Sequence, residues 1–403
     1  MADRRRVAWI LGAGFSVPLG GPLLARLLSR ASFISCDSRF REQLAPHRWA
    51  ALYACAVFHF GRNFEQGYLR EFSHARPPGD ILWSDAEEFL DQLDVAARDN
   101  GVRAHIERAI EEVSAHISKP AAGMPTIADM LDAARRLVAH ECNQFVVDGN
   151  PALEKWSAHY SWWLKVKPGH SIVTFNYDRV VETLEAHRMS HLHTGSSPLL
   201  AVTPTTDEDM VTHESIIPLF KLHGSVDWRR TPPATPNARA TYTALADQAR
   251  DAHHLFTAPK NTIAIAMPGP AKKETTSDLK PVWESAESAI ENAEAIVFVG
   301  YSFPKSDSYA LARLLGAVER AAKNARGILR IHIILGQNRE AESRLHALIK
   351  SVCVRAGAVQ VERPHDPGRA LLPNAEAKRF AIEVHPMYSQ DFFAVYDEKL
   401  LFL

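Results

Sequence analysis

Six short apolar runs along the chain predict β-strands. They lie at 7–11, 171–175, 216–222, 262–266, 295–299 and 330–335. Several runs are continuous rather than alternating, which is typical of parallel strands that helices cover on both faces. Helical patterns at 285–295 and 309–324 separate the later runs. This alternation predicts an α/β fold built on a Rossmann-like parallel sheet.

The stretch from 23 to 165 has a different pattern, with helical spacing of apolar residues and no convincing strand. We therefore predict a large helical insertion after the first strand. The predicted domains are a Rossmann-like domain formed by 1–22 and 166–403, and a helical insertion subdomain at 23–165.

Composition narrows the class of protein. The 403 residues are 46% hydrophobic and 23% charged, with a net charge of -1, so no bulk attraction to nucleic acid or to an anionic membrane is expected. No apolar stretch approaches the roughly 18 residues of a membrane span, and the first run is too short for a signal peptide. We expect a cytoplasmic protein. The four cysteines form no C-x-x-C pair, which argues against a zinc ribbon.

Polar or glycine-rich signatures follow five of the predicted strands. They are Gly-Ala-Gly-Phe-Ser at 12–16, Thr-Phe-Asn-Tyr-Asp at 174–178, His-Gly-Ser at 223–225, Gly-Tyr-Ser-Phe-Pro at 300–304 and Gly-Gln-Asn at 336–338. Ligands of open α/β sheets bind at the carboxyl ends of the strands. Five such signatures predict a nucleotide-type site at one edge of the sheet.

The first signature is suited to a pyrophosphate. Gly12, Ala13 and Gly14 permit a tight turn and a close backbone approach, and the helix that follows offers N–H groups and its positive dipole end. The match to G-x-G-x-x-G is incomplete because position 17 is Val. A plain strand–helix turn is the alternative interpretation.

Asn176 and His223 are the predicted catalytic residues. An Asn side chain donates and accepts hydrogen bonds, so it can hold a hydroxyl group or a water. A His side chain can act as a general base near neutral pH. The alternative for His223 is a structural histidine after a strand. Asp178 and Asp307 are candidate ligand-binding residues that could instead cap helices, and Ser302 could bond a ligand or its own turn.

A metal site is not predicted. His187, His191 and His193 lie close together in the sequence, with His213 further on. Their spacing matches no motif of metal ligands that we recognise, and no partner carboxylate is evident.

These residues resemble the sirtuins, and resemble more closely the sirtuin-like NADases of bacterial antiphage defence. The resemblance rests on Gly-Ala-Gly-Phe-Ser, Asn-Tyr-Asp, Leu-His-Gly-Ser and an unbroken Gly-Tyr-Ser-Phe-Pro-x-Ser-Asp at 300–307, together with Glu-Glu-Phe-Leu at 87–90. It spans residues 10 to about 338. Each motif is weak alone, and the combination is specific.

The resemblance implies an enzyme that hydrolyses NAD⁺ to nicotinamide and ADP-ribose, with NAD⁺ as substrate and no metal. Asn176 would be its catalytic Asn and His223 its base. The implied NAD⁺-binding residues are Gly12, Ala13, Gly14, Phe15, Ser16, Asp178, Gly300, Ser302 and Asp307, with 336–338 near the adenosine ribose.

Relatives of this branch work as homo-oligomers or with partners such as a HerA-type ATPase or a short Argonaute, so we expect a regulated effector. Two alternatives stay open. One is a sensor that binds NAD⁺ or ADP-ribose without turnover. The other is an NAD⁺-dependent deacylase or ADP-ribosyltransferase, against which the missing pairs of zinc cysteines argue.

Overall fold

The computed structural model describes residues 5–23, 27–28, 47–60, 86–115, 123–192, 199–202, 216–231, 233, 240–244, 253–260, 262–265, 278–303, 307–361 and 378–402. They form two compact units. The first comprises Met1–Gly20, Gly149–Leu222 and Leu279–Leu403, and the second comprises Gly21–Asp148 and His223–Asp278.

Eleven strands lie within the described residues. They are β1 (Val7–Leu11), β2 (His170–Thr174), β3 (Leu200–Val202), β4 (Ile217–Lys221), β5 (Gly224–Thr231), β6 (Thr241–Ala244), β7 (Ile263–Ile265), β8 (Ala295–Val299), β9 (Ile328–Ile334), β10 (Val359–Gln360) and β11 (Arg379–Val384).

The helices of the same residues follow in chain order. They are α1 (Ala13–Ser16), α2 (Arg48–Phe60), α3 (Ala86–Arg98), α4 (Asn100–Ser114), α5 (Ile127–Val147), α6 (Ser157–Trp163), α7 (Val180–Ser190), α8 (His253–Thr257), α9 (Lys280–Glu291), α10 (Ser308–Asn324), α11 (Arg339–Arg355) and α12 (Ser389–Val395). Short 3₁₀ turns lie at Val17–Leu19, Glu154–Trp156 and Glu398–Leu401.

The first unit is built on an eight-stranded sheet with the order β10-β11-β9-β8-β1-β2-β4-β3. Every pairing in it is parallel. All five residues of β1, of β2 and of β8 are buried, as expected for strands covered on both faces. The Rossmann-like α/β fold predicted from the apolar runs is therefore confirmed.

An aromatic cluster holds α6 and α12 against one face of β1. The Trp9 ring lies 5.3 Å from that of Trp162 and 5.2 Å from that of Tyr396. Phe15, just beyond the strand, lies 5.4 Å from Trp162 and 5.7 Å from Phe393. All five side chains are at most 1% exposed. Each contributes roughly 1.5–3 kcal/mol through burial, so this cluster anchors the loop that follows β1.

The second unit combines helices α2–α5 and α8 with a three-stranded antiparallel sheet of order β6-β5-β7. Its central helix, α5, starts with a capping box between Thr126 and Asp129. Arg136 on this helix is fully buried and donates to Asp132 at 2.7 Å and to the carbonyl of Leu255 at 2.7 Å. No strand lies among the described residues of 23–165, as the helical insertion predicted.

The division differs from the predicted boundaries in two places. Residues 149–165 belong to the first unit, because α6 packs on α12 there. Residues 223–278 belong to the second unit. The predicted strand at 262–266 is present as β7, but it pairs with β5 rather than entering the parallel sheet. An apolar run predicts a strand but does not show which of the two sheets the strand joins.

Sequence patterns missed β3, β5, β6, β10 and β11. The motif residues Gly224 and Ser225 already lie in β5, a strand with Asp, Arg and Thr among its eight residues. The carboxyl-terminal region contributes β11, which pairs with β9 over six residues. Short, mixed-polarity strands carry little signal of their own, because their neighbours decide their pairing.

Candidate active site

The loops after β9, β8, β1 and β2 lie at one edge of the sheet, because these four strands are consecutive neighbours and run parallel. The signatures at 336–338, 12–16 and 174–178 lie at these strand ends, as do the described residues 300–303 of the fourth signature. β4 is the next strand in the same direction and ends at Lys221. The sheet thus brings four of the five predicted signatures to its carboxyl edge.

Glycine residues allow the loops after β1 and β8 to interlock. The Gly14 N–H donates to the Gly300 carbonyl at 2.9 Å, and the Gly12 N–H donates to the Val299 carbonyl at 3.0 Å. A Cβ atom at Gly12 would lie 2.5 Å from Tyr301, and one at Gly14 would lie 2.7 Å from the Gly300 Cα. Gly300 itself has φ +65°. These three glycines are required by backbone packing.

This packing bears on the prediction that the glycine loop offers N–H groups to a pyrophosphate, because it uses three of them inside the protein. The N–H groups of Gly12, Gly14 and Phe15 all donate to backbone carbonyls. Helix α1 has four residues and passes directly into the Val17–Leu19 turn. A helix this short contributes little dipole. Ala13, its first residue, is partly exposed.

Asn176 is the best-defined side chain of the edge. Its Nδ2 atom donates to the Gly12 carbonyl at 3.0 Å and to Ser16 Oγ at 3.1 Å. Its backbone N–H donates to Thr174 Oγ1 at 3.1 Å. The residue is 9% exposed. Asn176, a predicted catalytic residue in the loop after β2, is therefore held by residues of the loop after β1.

Asp178 lies in the same network. Ser16 Oγ donates to Asp178 Oδ2 at 2.7 Å, and the Val180 N–H donates to Asp178 Oδ1 at 3.0 Å. Lys221, whose side chain is fully buried, donates to the Asp178 carbonyl at 2.5 Å and to Glu182 at 2.8 Å. Burial raises the pKa of Asp178, and the Lys221 charge opposes that rise.

Phe15 does not present its side chain at the edge. The ring is buried in the aromatic cluster, 5.1 Å from the ring of His159. His159 Nε2 lies 2.8 Å from the Phe15 carbonyl, and Ser389 Oγ donates to the Gly14 carbonyl at 3.1 Å. The ring of Phe15 thus serves the core, and its N–H and carbonyl are both used inside the protein.

The loop after β8 is held by a side chain of helix α11. Ser302 is exposed, and Arg344 of α11 donates to its carbonyl and to the Phe303 carbonyl. Phe303 has φ +52°, a left-handed conformation. Asp307 accepts a hydrogen bond from the Tyr301 hydroxyl at 2.7 Å and makes no side-chain cap for α10. Tyr301 also stacks on Phe175, with ring centroids 4.0 Å apart.

The loop after β9 combines a turn and a cap. Gly336 has φ +71°, and a Cβ atom there would lie 2.7 Å from the Tyr388 ring. Asn338 Oδ1 accepts from the Ala341 N–H at 3.1 Å and so caps α11. The conformation of this loop is therefore determined by local contacts.

His223 is the first residue of the second segment of the second unit. It is 3% exposed. Gly224 follows with φ +78°, and a Cβ atom there would lie 1.9 Å from the Ala264 carbonyl oxygen. A glycine is required directly after His223, because no larger residue fits against β7.

Two histidine groups bear on metal binding. His187 and His191 have ring centroids 4.6 Å apart, while His193 and His213 lie outside the described residues. Within the part of the chain that the structure describes, His332, Glu383 and His385 form the one group of three candidate ligands.

The His332–His385 geometry fits a hydrogen bond. Their Nδ1 and Nε2 atoms are 3.0 Å apart, with ring centroids 5.3 Å apart and planes inclined by 19°. These values describe two rings that point at each other, whereas ligands of one ion converge on it. His332 Nε2 lies 3.2 Å from the Leu401 carbonyl. The group is a hydrogen-bonded chain that ties β9 to the Glu398–Leu401 turn.

Comparison of the chain with models of protein families and with curated proteins gave no match. Among the residues that the structure describes, no helix combines the length and apolar character needed to cross a membrane. Buried thiols are found at Cys55, Cys142 and Cys353.

Two residues of this edge, Lys221 and Tyr301, escaped prediction from the sequence, and so did Ser389, a structural contact of the loop after β1. Lys221 ends an apolar strand, and a buried lysine at that place signals a partner. Tyr301 lies inside a recognised motif. Ser389 follows no motif and carries no signal, since its role depends on a contact with residues about 375 positions away.

Proposed function

We propose that this protein is an NAD⁺ glycohydrolase that cleaves NAD⁺ to nicotinamide and ADP-ribose. The observation that carries the proposal is the Asn176 amide, held in one orientation at the carboxyl edge of a parallel sheet. Both hydrogens of its Nδ2 are used inside the protein. Its Oδ1 atom is thereby the group it offers to a ribose hydroxyl or to a water. The resemblance of the strand-end motifs to sirtuin-like NADases supports the same substrate.

The proposed reaction breaks the bond between nicotinamide and ribose C1′. The electron pair of that bond moves to the pyridinium ring and neutralises it, and the transition state is oxocarbenium-like. Water attacks C1′, and Asn176 orients that water or the ribose. His223 accepts the water proton. The protein contributes positioning and proton transfer, and the reaction as proposed uses no metal.

Uncontrolled hydrolysis of NAD⁺ would harm the host cell. We therefore extend the proposal to a regulated cytoplasmic effector of antiphage defence that acts by NAD⁺ depletion. Its regulation would come from assembly, either as a homo-oligomer or with a partner protein such as a HerA-type ATPase or a short Argonaute.

The test is release of nicotinamide from NAD⁺, followed by chromatography with the purified full chain and in cells that express it, with and without phage challenge. We expect release by the wild type in at least one condition, and loss of at least about 100-fold in Asn176→Ala and His223→Ala. Matched controls are Asn292→Ala, at an exposed helix end, and His105→Ala, exposed on α4.

The outcomes separate the alternatives. Saturable NAD⁺ binding without release in any condition replaces the hydrolase with a sensor. Release that requires an acylated peptide or a protein acceptor replaces it with a deacylase or transferase. Variants as active as the wild type refute the assignment of Asn176 and His223.

A further inference from the structure

The orientation of the Asn176 amide is determined by its neighbours. The Gly12 carbonyl oxygen can only accept a hydrogen bond, so the atom that faces it at 3.0 Å must be the donor Nδ2. The Oδ1 atom therefore points elsewhere. A flipped amide would place two acceptors in contact and leave the Gly12 carbonyl without a donor.

Ser16 continues the same chain of hydrogen bonds. Its Oγ atom accepts from Asn176 Nδ2 at 3.1 Å and donates to Asp178 Oδ2 at 2.7 Å. Ser16 is 2% exposed. A serine hydroxyl has one donor hydrogen, and here that hydrogen is used by Asp178. Ser16 has no hydrogen left to donate to a phosphate.

Asp178 is also held by contacts that do not involve Ser16. The Val180 N–H holds Oδ1 at 3.0 Å, and the buried Lys221 ammonium group holds the backbone carbonyl at 2.5 Å. Lys221 is in turn paired with Glu182 at 2.8 Å. Donation therefore runs outward from the Asn176 amide, to the Gly12 carbonyl on one side and through Ser16 to Asp178 on the other.

We propose that Ser16 and Asp178 are positioning residues, which hold the Asn176 amide so that Oδ1 faces the substrate, and that neither binds the dinucleotide itself. This role rests on the proposed function for the identity of the substrate. It replaces the ligand-binding roles that the resemblance implied for both residues. Misplacement of a reacting group by about 1 Å can cost on the order of 100-fold in rate.

The main test is Ser16→Ala, which removes the bridge without adding volume. We expect kcat for nicotinamide release to fall about 10- to 100-fold, with KM and the Kd for NAD⁺ changed less than about 3-fold. Asp178→Asn, nearly equal in shape, should act in the same sense, because its single amide oxygen cannot accept from both Ser16 Oγ and the Val180 N–H. Thermal unfolding of each variant establishes that it is folded.

Ser389→Ala is the matched control. Ser389 is a buried serine whose hydroxyl also bonds the loop after β1, but at the Gly14 and Phe15 carbonyls rather than at Asn176. We expect its kcat to stay within about 2-fold of the wild type. A loss equal to that of Ser16→Ala would show that the loop has merely loosened, and would overturn the proposal.

A double variant asks whether Ser16 acts through Asn176. Single-turnover release with enzyme in excess should be as slow in Ser16→Ala/Asn176→Ala as in Asn176→Ala, because coupled residues are not additive. A further loss in the double variant, a raised Kd with unchanged kcat, or no effect of Ser16→Ala each contradicts the positioning role.

A crystal structure of Ser16→Ala tests the same role without turnover. We expect the Asn176 side chain to rotate or to occupy more than one orientation. An unchanged amide overturns the positioning role even if the protein hydrolyses NAD⁺. Conversely, a wild type that releases no nicotinamide in any condition refutes the proposed function. The crystal structure of Ser16→Ala then still tests whether Ser16 orients the Asn176 amide.

Discussion

The loops after β2 and β8, the two strands that flank β1 in the sheet, carry similar motifs but are held by different contacts. In the loop after β2, called the inward loop below, Ser16 holds the Asn176 and Asp178 side chains and Lys221 holds the Asp178 backbone carbonyl. In the loop after β8, called the outward loop below, Arg344 holds the backbone and Ser302 is exposed, whereas Tyr301 and Phe303 are buried. The inward loop can hold one side chain in a single orientation. The outward loop presents an exposed hydroxyl group on a fixed backbone.

The substitution with the largest expected effect is Gly300→Ala, which tests whether the loops after β1 and β8 interlock. Gly300 has φ +65°, and a Cβ atom there would lie 2.3 Å from the Gly14 carbonyl carbon. The clash and the left-handed backbone together should lower the free energy of unfolding by at least about 3 kcal/mol. Chemical denaturation measures this loss. Gly327→Ala, where no atom lies within 4 Å, should change it by less than about 1 kcal/mol; equal effects would refute the interlocking of the two loops.

Asn176→Asp tests the inward loop with a nearly identical shape. The substitution replaces the donor Nδ2 by an acceptor that faces the Gly12 carbonyl. We expect nicotinamide release to fall by on the order of 100-fold, together with a lower melting temperature. Kinetics and thermal unfolding at neutral pH measure both. Asn292→Asp at an exposed position is the control. Wild-type rates in Asn176→Asp would mean that the amide hydrogens have no role.

Acid should lower the stability of the packing around Phe15, in the loop after β1 that holds Asn176. Burial lowers the pKa of His159, which contacts the Phe15 carbonyl, from 6.5 to about 4. Above pH 6.5 the ring is neutral in both states, so it adds no pH dependence. As the pH falls from 6.5 towards 4, the unfolded chain binds the proton first and the free energy of unfolding decreases.

At pH 5 the loss from His159 should be about 2 kcal/mol relative to pH 7. Denaturant unfolding of the wild type and of His159→Gln at both pH values isolates this contribution. The pH-dependent loss should be smaller in His159→Gln by that amount. An identical loss in both proteins would show that His159 is not buried as a neutral ring.

Arg344→Ala tests the outward loop and should have the smallest effect. Its guanidinium donates to the Phe303 carbonyl at 3.0 Å from an exposed position, so its removal should cost about 1 kcal/mol of stability or less. If the loop binds a ligand, we expect a several-fold higher KM for NAD⁺ with kcat nearly unchanged. Arg339→Ala, exposed on the same helix, is the control. A large loss of kcat would place this loop in the chemistry.

Much of the sheet could be predicted from the chain alone. The apolar runs at β1 and β8 match the observed strands residue for residue, because strands buried on both faces leave a continuous apolar signal. The glycine signatures were also correctly placed at the strand ends. The strand at 262–266 was assigned to the wrong sheet, because a short apolar run does not encode its partner.

The sequence by itself determined the parallel core, the helical insertion and the order of the strand-end motifs, since these follow from local periodicity and local turn chemistry. Tertiary structure alone decided what the motif residues do. Ser16 and Asn176 are 160 positions apart and Ser389 and Gly14 are 375 apart. A hydrogen bond depends on distance and direction in space, and no local pattern records either. The ring of Phe15 therefore entered the core, and the Gly14 N–H was used by Gly300, although both belong to a motif that predicts ligand binding.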